Sequence, residues 1–189
     1  MNPPSTKPTL TSHSDRSTGS NTPRVGKHWF QSQVVGISLD GWTVYDRPHS
    51  HHHLEPDLLI EVLDRLTLGG KPFVTGTADF ERIVAATDCI STLDGDDIVF
   101  ARREGRKGLT RFVHGRPPEL TTFATAVLKR MGDVSNGYLL ITAFPGLCAA
   151  PEPWDHNATP ASRPFWSSHA LVWGSCPIVP GTETTICPW

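Results

Sequence analysis

Two arginines stand on short apolar segments where a guanidinium is able to bind an anion. Arg111 lies in the middle of an apolar run, between Thr110 and Phe112. A charge in the middle of a strand is unfavourable without a partner, and arginine forks onto a carboxylate or a phosphate. Arg103 ends the preceding apolar run and is expected to point to the same place. The sequence therefore predicts an anion site on these two segments, with Thr110 beside it.

Thr142 and His169 add a hydroxyl group and an imidazole to these cations. Thr142 lies in the apolar run 139–144, where the two-residue period of a strand puts it on the face of Leu140 and Phe144. His169 begins the last predicted strand, and histidine titrates near neutral pH. Taken alone, Thr142 fits a structural role as well as a functional one, and a single histidine such as His169 is more often a structural residue than a catalyst. In combination with arginine they suit proton transfer to and from a phosphate ester.

Such a set suits cleavage of RNA by its own 2′-hydroxyl group. That reaction needs a general base, a general acid and cations for the charge of the phosphorane, and it needs no metal. In this hypothesis Arg111 and Arg103 hold the phosphate. His169 transfers protons, and Thr142 orients the phosphate or the 2′-hydroxyl group.

The alternative is a non-catalytic module that binds a nucleotide, an RNA or an acidic protein in the same cleft. Geometry separates the two hypotheses. A shared active site is excluded if His169 and Thr142 lie on the sheet face opposite Arg111. A third activity, ADP-ribosyl transfer, needs a catalytic glutamate, and Glu119 and Glu152 both stand beside prolines in predicted loops.

Four histidines between positions 49 and 53 have the chemistry of metal ligands. Side chains within such a short run point in different directions, however, so we expect solvated histidines at the start of a helix and no metal or other cofactor. One of them, His52 or His53, is able to face the cleft.

Composition limits the class of protein. The chain has 189 residues, a net charge of −2 and 38% hydrophobic residues, which predicts one domain and excludes a globally basic nucleic-acid coat protein. No apolar run reaches the roughly 18 residues of a membrane span, and no secretory signal is recognisable. The four cysteines form no C-x-x-C pair, which favours reduced thiols in the cytoplasm over a zinc ribbon. A Cys176–Cys187 bridge is the less favoured alternative.

The predicted elements form an α+β domain over residues 31–174, between a disordered arm at 1–30 and an irregular tail at 175–189. Apolar residues at helical spacing predict a main helix over 55–66, and a short helix is predicted over 161–168. The central feature is a hairpin, with strands at 98–101 and 109–113 joined by a basic turn. Further strands at 34–39, 121–130, 138–144 and 169–173 predict an antiparallel meander.

Several segments resemble a group of small bacterial proteins that is itself similar to the barnase–EndoU–colicin–RelE (BECR-like) superfamily of metal-independent ribonucleases. The resemblance covers residues 34–173. It rests on the segments Ile98-Val-Phe-Ala-Arg-Arg, Gly108-Leu-Thr-Arg-Phe-Val, Leu140-Ile-Thr-Ala-Phe, Pro151-Glu-Pro-Trp-Asp, Phe165-Trp and His169-Ala-Leu-Val-Trp.

The resemblance implies a curved antiparallel sheet of four to six strands, with one main helix and a short C-terminal helix packed on it and the cleft on the sheet face. It also implies a toxin or effector ribonuclease with an RNA substrate and a cognate inhibitor protein. The matching residues are Arg111, His169 and Thr142, with Arg103 as a second cation and His53 as the histidine at the helix start.

Overall fold

The computed structural model describes residues 33–47 and 53–189. Within these ranges the chain forms eleven strands and two helices. The strands are β1 (Gln33–Ile37), β2 (Thr43–Asp46), β3 (Phe73–Asp79), β4 (Ala85–Thr87), β5 (Cys89–Ser91), β6 (Ile98–Arg102), β7 (Leu109–Val113), β8 (Glu119–Thr121), β9 (Phe123–Arg130), β10 (Gly137–Pro145) and β11 (His169–Val172). The helices are α1 (Pro56–Leu63) and α2 (Ser162–Ser168). The predicted arm at 1–30 lies outside the described residues, as do His49, His51 and His52.

The described strands divide among three sheets rather than one. A five-stranded sheet has the order β1-β2-β10-β9-β3, a four-stranded sheet has the order β5-β11-β7-β6, and β4 pairs with β8. The α+β class is confirmed, but two neighbouring pairs, β10 with β2 and β11 with β7, are parallel. Alternation along a segment predicts that it is a strand but carries no signal of which distant strand becomes its partner.

Helix α1 provides most of the cover for the five-stranded sheet. Pro56 occupies its first turn, and Leu59, Val62 and Leu63 are buried. Proline is favoured there because the first-turn N–H has no partner within the helix. A side chain at Gly36 on β1 would meet Leu63 Cδ1 at 2.7 Å, so this glycine lets the helix approach the strand closely.

The central hairpin is confirmed and lies in the four-stranded sheet. Residues from Ile98 to Arg102 pair antiparallel with residues from Val113 to Leu109. Helix α2 leads directly into β11, which pairs with β5 and β7. The core of this sheet is small, and it consists of Ile90, Val113, Ala170 and Val172, with Ile98 packed against them.

The C-terminal segment predicted as an irregular tail packs along β6, the outer strand of the hairpin. The backbones of Phe100 and Thr184 exchange hydrogen bonds of 2.8 and 2.9 Å. The Val179 N–H donates to the Arg102 carbonyl at 2.8 Å. The rings of Trp189 and Phe100 form a T-shaped pair with 5.2 Å between their centroids. The tail therefore covers hydrogen-bonding groups that an edge strand would otherwise expose. No helix in the described part of the chain is long and apolar enough to cross a membrane.

Asp40 ties the β1–β2 turn to the segment after α1, and this makes stability depend on pH. Desolvation alone would raise the pKa of the Asp40 carboxyl, but hydrogen bonds from the Gly69 N–H, the Ser38 hydroxyl and the Leu68 N–H lower that pKa to about 2. Because the folded-state pKa is below the unfolded value of 3.8, the ionised carboxylate stabilises the fold above pH 3.8. This stabilisation is lost as the pH falls through about 2.

We expect Asp40→Asn to lower the urea midpoint at pH 7 and to change it little at pH 2. An equal loss at both pH values would contradict this, and Asp94→Asn, on an exposed turn, is the control.

Candidate functional site

A cleft of about 690 Å³ is lined by residues of both larger sheets. Strand β10 contributes Thr142 and Phe144, and β5 and β11 contribute Cys89 and Leu171. Polar side chains enter from several separate parts of the chain. They are His53, Thr87, Asp88, Arg103, Arg106 and Ser175.

Thr142 reaches this cleft because β10 is irregular at Ile141. The register between β10 and β9 shifts between Leu140 and Thr142. The extra residue reverses the alternation, so Leu140 lies in the core with Ala143, whereas Thr142 and Phe144 line the cleft. The prediction that Thr142 shares a face with Leu140 is therefore wrong, and the one with Phe144 is confirmed. Bulges of this kind often re-aim a side chain next to a functional site.

His53 lies beside Thr142 because its backbone joins the same strand. The His53 N–H donates to the Ala143 carbonyl at 2.8 Å, and its exposed side chain lines the cleft. Asp88 lies close enough for its carboxyl to interact with His53. Desolvation raises the pKa of the Asp88 carboxyl, and the charge of His53 opposes that rise. A carboxyl group and an imidazole that interact electrostatically therefore line the same cleft.

Arg103 forms an ion pair with the buried carboxylate of Glu152, a residue that was predicted from the sequence to lie in a loop. Its Nη2 donates to Glu152 Oε2 at 2.6 Å and its Nε donates to Thr110 Oγ1 at 3.0 Å. The Thr110 hydroxyl in turn donates to Glu152 Oε1. Glu152 is only 6% exposed and Thr110 is fully buried. Thr110 therefore orients Arg103 and is not in a position to contact a ligand.

Three of the four cysteines line the cleft as well, namely Cys89, Cys148 and Cys176. All four cysteines are free thiols. Burial raises the pKa of the Cys89 thiol to about 11 and also raises the pKa of Cys148 and Cys176. Since the thiolate is the nucleophile, none of these three is activated for covalent catalysis.

Arg111 and His169, two of the predicted catalytic residues, do not share the cleft with Thr142. Arg111 follows Thr110 on β7, and adjacent strand residues face opposite sides of the sheet. Its Nη1 lies 3.1 Å from the His169 carbonyl oxygen, so it contacts the backbone of His169 and not the imidazole. These two residues therefore form no common active site with Thr142.

The imidazole of His169 has a structural environment. It stacks on the Phe165 ring at 4.1 Å between centroids, and its Nδ1 lies 3.0 Å from the Phe165 carbonyl oxygen. Its Nε2 lies 3.5 Å from Ser91 Oγ, across the β5–β11 pair. These contacts join the end of α2 to the first residue of β11.

The cleft thus brings together His53, Thr142 and Arg103 of the predicted set and adds Asp88 and Arg106. Within residues 33–47 and 53–189, no group of three or more histidines, cysteines or carboxylates is arranged to hold a metal ion. No family model, curated protein or solved structure matches the chain. The function of the protein is therefore inferred from the side chains that line the cleft.

Proposed function

We propose that the protein is a metal-independent endoribonuclease whose active site is the cleft between the two larger sheets. The observation that carries the proposal is that His53, Thr142 and Arg103, from three distant segments, line this one cleft together with Asp88 and Arg106. An imidazole, a carboxylate, a hydroxyl group and two guanidinium groups are the side chains that cleavage by a 2′-hydroxyl group requires.

Proton transfer falls to Asp88 and His53. The Asp88 carboxylate removes the proton from the 2′-hydroxyl group, and the 2′-oxygen attacks the phosphorus. The bond from phosphorus to the 5′-oxygen breaks, and protonated His53 gives its proton to that leaving oxygen. The products are a 2′,3′-cyclic phosphate and a 5′-hydroxyl end. A raised pKa makes the Asp88 carboxylate a stronger base than an ordinary aspartate.

Arg103 and Arg106 stabilise the negative charge that develops on the phosphorane. Arg103 is partly buried and fixed by Glu152 and Thr110, so little reorganisation is needed when that charge appears. Arg106 is exposed on the hairpin turn, where it steers the RNA into the cleft. Thr142 orients the phosphate or the 2′-hydroxyl group from β10.

The free thiols fit a reducing compartment, and we assign the protein to the cytoplasm, where RNA is abundant. In this proposal the ribonuclease acts as a toxin or effector, and a cognate inhibitor protein holds it inactive in the cell that makes it. The catalytic set differs from the one predicted from sequence, because His53 takes the proton-transfer role first given to His169.

A non-catalytic binding module is the second candidate. It is favoured by the ion pair of Arg103 with Glu152, which already neutralises one of the two cations, and by the separation of Arg111 and His169 from the cleft. Such a module would hold a nucleotide, an RNA or an acidic protein in the same place without cleaving it.

Incubation of the purified protein with a mixed-sequence RNA in excess chelator tests the proposal. We expect cleavage to proceed without a divalent metal and to be lost in Asp88→Asn. Asp94→Asn, on an exposed turn outside the cleft, is the matched control and should cleave like the unmodified protein. RNA binding without cleavage under all conditions would favour the binding module and refute the nuclease.

A further inference from the structure

Arg111 lies at a second hollow, on the opposite face of the hairpin from the cleft. This hollow has a volume of about 280 Å³. It is lined by Ile98, Phe100, Arg111, Trp166, Ser167, Cys187 and Trp189. None of these residues lines the cleft, so the hollow is a separate feature of the fold.

The guanidinium of Arg111 has no acidic partner among the described residues. Its Nη1 lies 3.1 Å from Thr92 Oγ1, 3.3 Å from the Trp166 carbonyl oxygen and 3.1 Å from the His169 carbonyl oxygen. These three contacts all involve one nitrogen, and each acceptor is neutral. Desolvation by burial lowers the pKa of the Arg111 guanidinium, and electrostatic interaction with Cys187 and Asp96, neither of which is in hydrogen-bond contact with it, opposes this effect. Arg111 is therefore a partly desolvated cation without an ion pair.

The contacts of Nη1 fix the plane of the guanidinium and leave Nε and Nη2 for another acceptor. No hydrogen bond joins Nε or Nη2 to the described residues, and neither is a buried atom without a partner, so both atoms retain some exposed surface. Two adjacent N–H groups in one plane match the two oxygens of a carboxylate or phosphate. Arg103 shows the contrasting arrangement, because its guanidinium is engaged by Glu152.

Most of the other residues that line the hollow are apolar. Phe100 is 4% exposed, and its ring forms a T-shaped pair with the Trp189 ring, with 5.2 Å between the two centroids. Trp166 is held in place because its Nε1 donates to the Ala150 carbonyl at 2.9 Å. A hollow lined by a cation and by aromatic rings suits a ligand that carries both a negative charge and a flat apolar ring.

We propose that this hollow is a binding site for a small oxyanion carried on an aromatic body, with Arg111 forked onto the oxyanion and Phe100 and Trp189 against the ring. A volume of about 280 Å³ lies just below the range of drug-sized ligand pockets, roughly 300–1,000 Å³, and so suits a single substituted ring. The site does not depend on RNA cleavage, because it shares no residue with the cleft.

Isothermal titration of the whole protein with benzoate and with phenyl phosphate tests the site and tells a carboxylate ligand from a phosphate ligand. We expect at least one probe to bind with a Kd in the millimolar range or tighter, and inorganic phosphate and benzyl alcohol to bind at least about 10-fold more weakly. Arg111→Lys keeps the charge but loses the fork, and it should weaken binding by about 10-fold.

Trp189→Ala provides a second variant that leaves the contacts of Arg111 unchanged, and it should weaken binding several-fold. Arg82→Lys, in an exposed ion pair with Glu61, is the control and should bind like the unmodified protein. Three results would overturn the proposal. They are no binding of either probe up to about 10 mM, binding by both Arg111→Lys and Trp189→Ala that is as tight as by the unmodified protein, and binding of inorganic phosphate that is as tight as that of phenyl phosphate.

Discussion

Replacing His53 by alanine is expected to lower the rate of RNA cleavage by roughly 10²–10⁴-fold, the range that general acid catalysis contributes. Without the imidazole, the 5′-oxygen leaves as an unprotonated alkoxide, which is a poor leaving group. The exposed side chain of His53 forms no hydrogen bond with the described residues, and the link of His53 to β10 runs through its backbone N–H. The variant should therefore fold, and its cleavage rate under single-turnover conditions measures the chemical step.

His156→Ala is the matched control for this experiment, since its side chain is 87% exposed and does not line the cleft. His169→Ala is the second comparison, because sequence alone assigned proton transfer to His169. We expect both variants to retain the chemical rate once the folded fraction has been measured by circular dichroism. A full rate in His53→Ala together with a large loss in folded His169→Ala would reverse the assignment.

Removal of Arg103 is expected to have the largest effect on stability. Arg103→Met leaves the Glu152 carboxylate, which is 6% exposed, without its cation. Breaking a buried ion pair from one side typically destabilises a protein by about 3–5 kcal/mol, because an uncompensated charge remains. Urea unfolding at pH 7 should show a loss in this range, and RNA cleavage by the folded fraction should also fall because a phosphate-binding cation is lost.

A double variant separates the ion pair from simple loss of packing. Arg103→Met combined with Glu152→Met removes both charges, and it should recover part of the stability that Arg103→Met loses. Arg82→Met breaks the exposed pair with Glu61 and should change the free energy of unfolding by only about 0–1 kcal/mol. A similar small change for Arg103→Met would show that the network with Glu152 and Thr110 does not hold the hairpin.

Local elements could be predicted from the sequence because their signals are local. The hairpin of β6 and β7 follows from two apolar runs around a glycine-containing turn, and α1 follows from the spacing of Leu59, Val62 and Leu63. The short helix predicted over 161–168 is α2, which spans Ser162–Ser168. Partner choice could not be predicted in this way. The parallel pairing of β11 with β7 depends on a long connection that brings residue 171 next to residue 112.

The candidate site was predicted only in part, for physical reasons that individual residues show. A strict two-residue period does not reveal the register shift at Ile141. It therefore predicts that Thr142 lies on the face of Leu140. Glu152 stands between two prolines, which predicts a loop, but the loop pattern carries no signal that this carboxylate is buried against Arg103 and Thr110. Asp88 had no motif around it, and only the fold brings it near His53.

The central claim is attack by the 2′-hydroxyl group of RNA within the cleft, and one substitution in the substrate tests it most directly. Once the cleavage position in a defined RNA oligonucleotide is known, the same oligonucleotide is made with a single 2′-deoxy nucleotide on the 5′ side of that bond. In excess chelator, we predict that the unmodified RNA yields a 2′,3′-cyclic phosphate end and that the 2′-deoxy RNA is not cut at that bond. Cleavage of both substrates at equal rates, or a product with a 5′-phosphate end, would contradict the proposed mechanism.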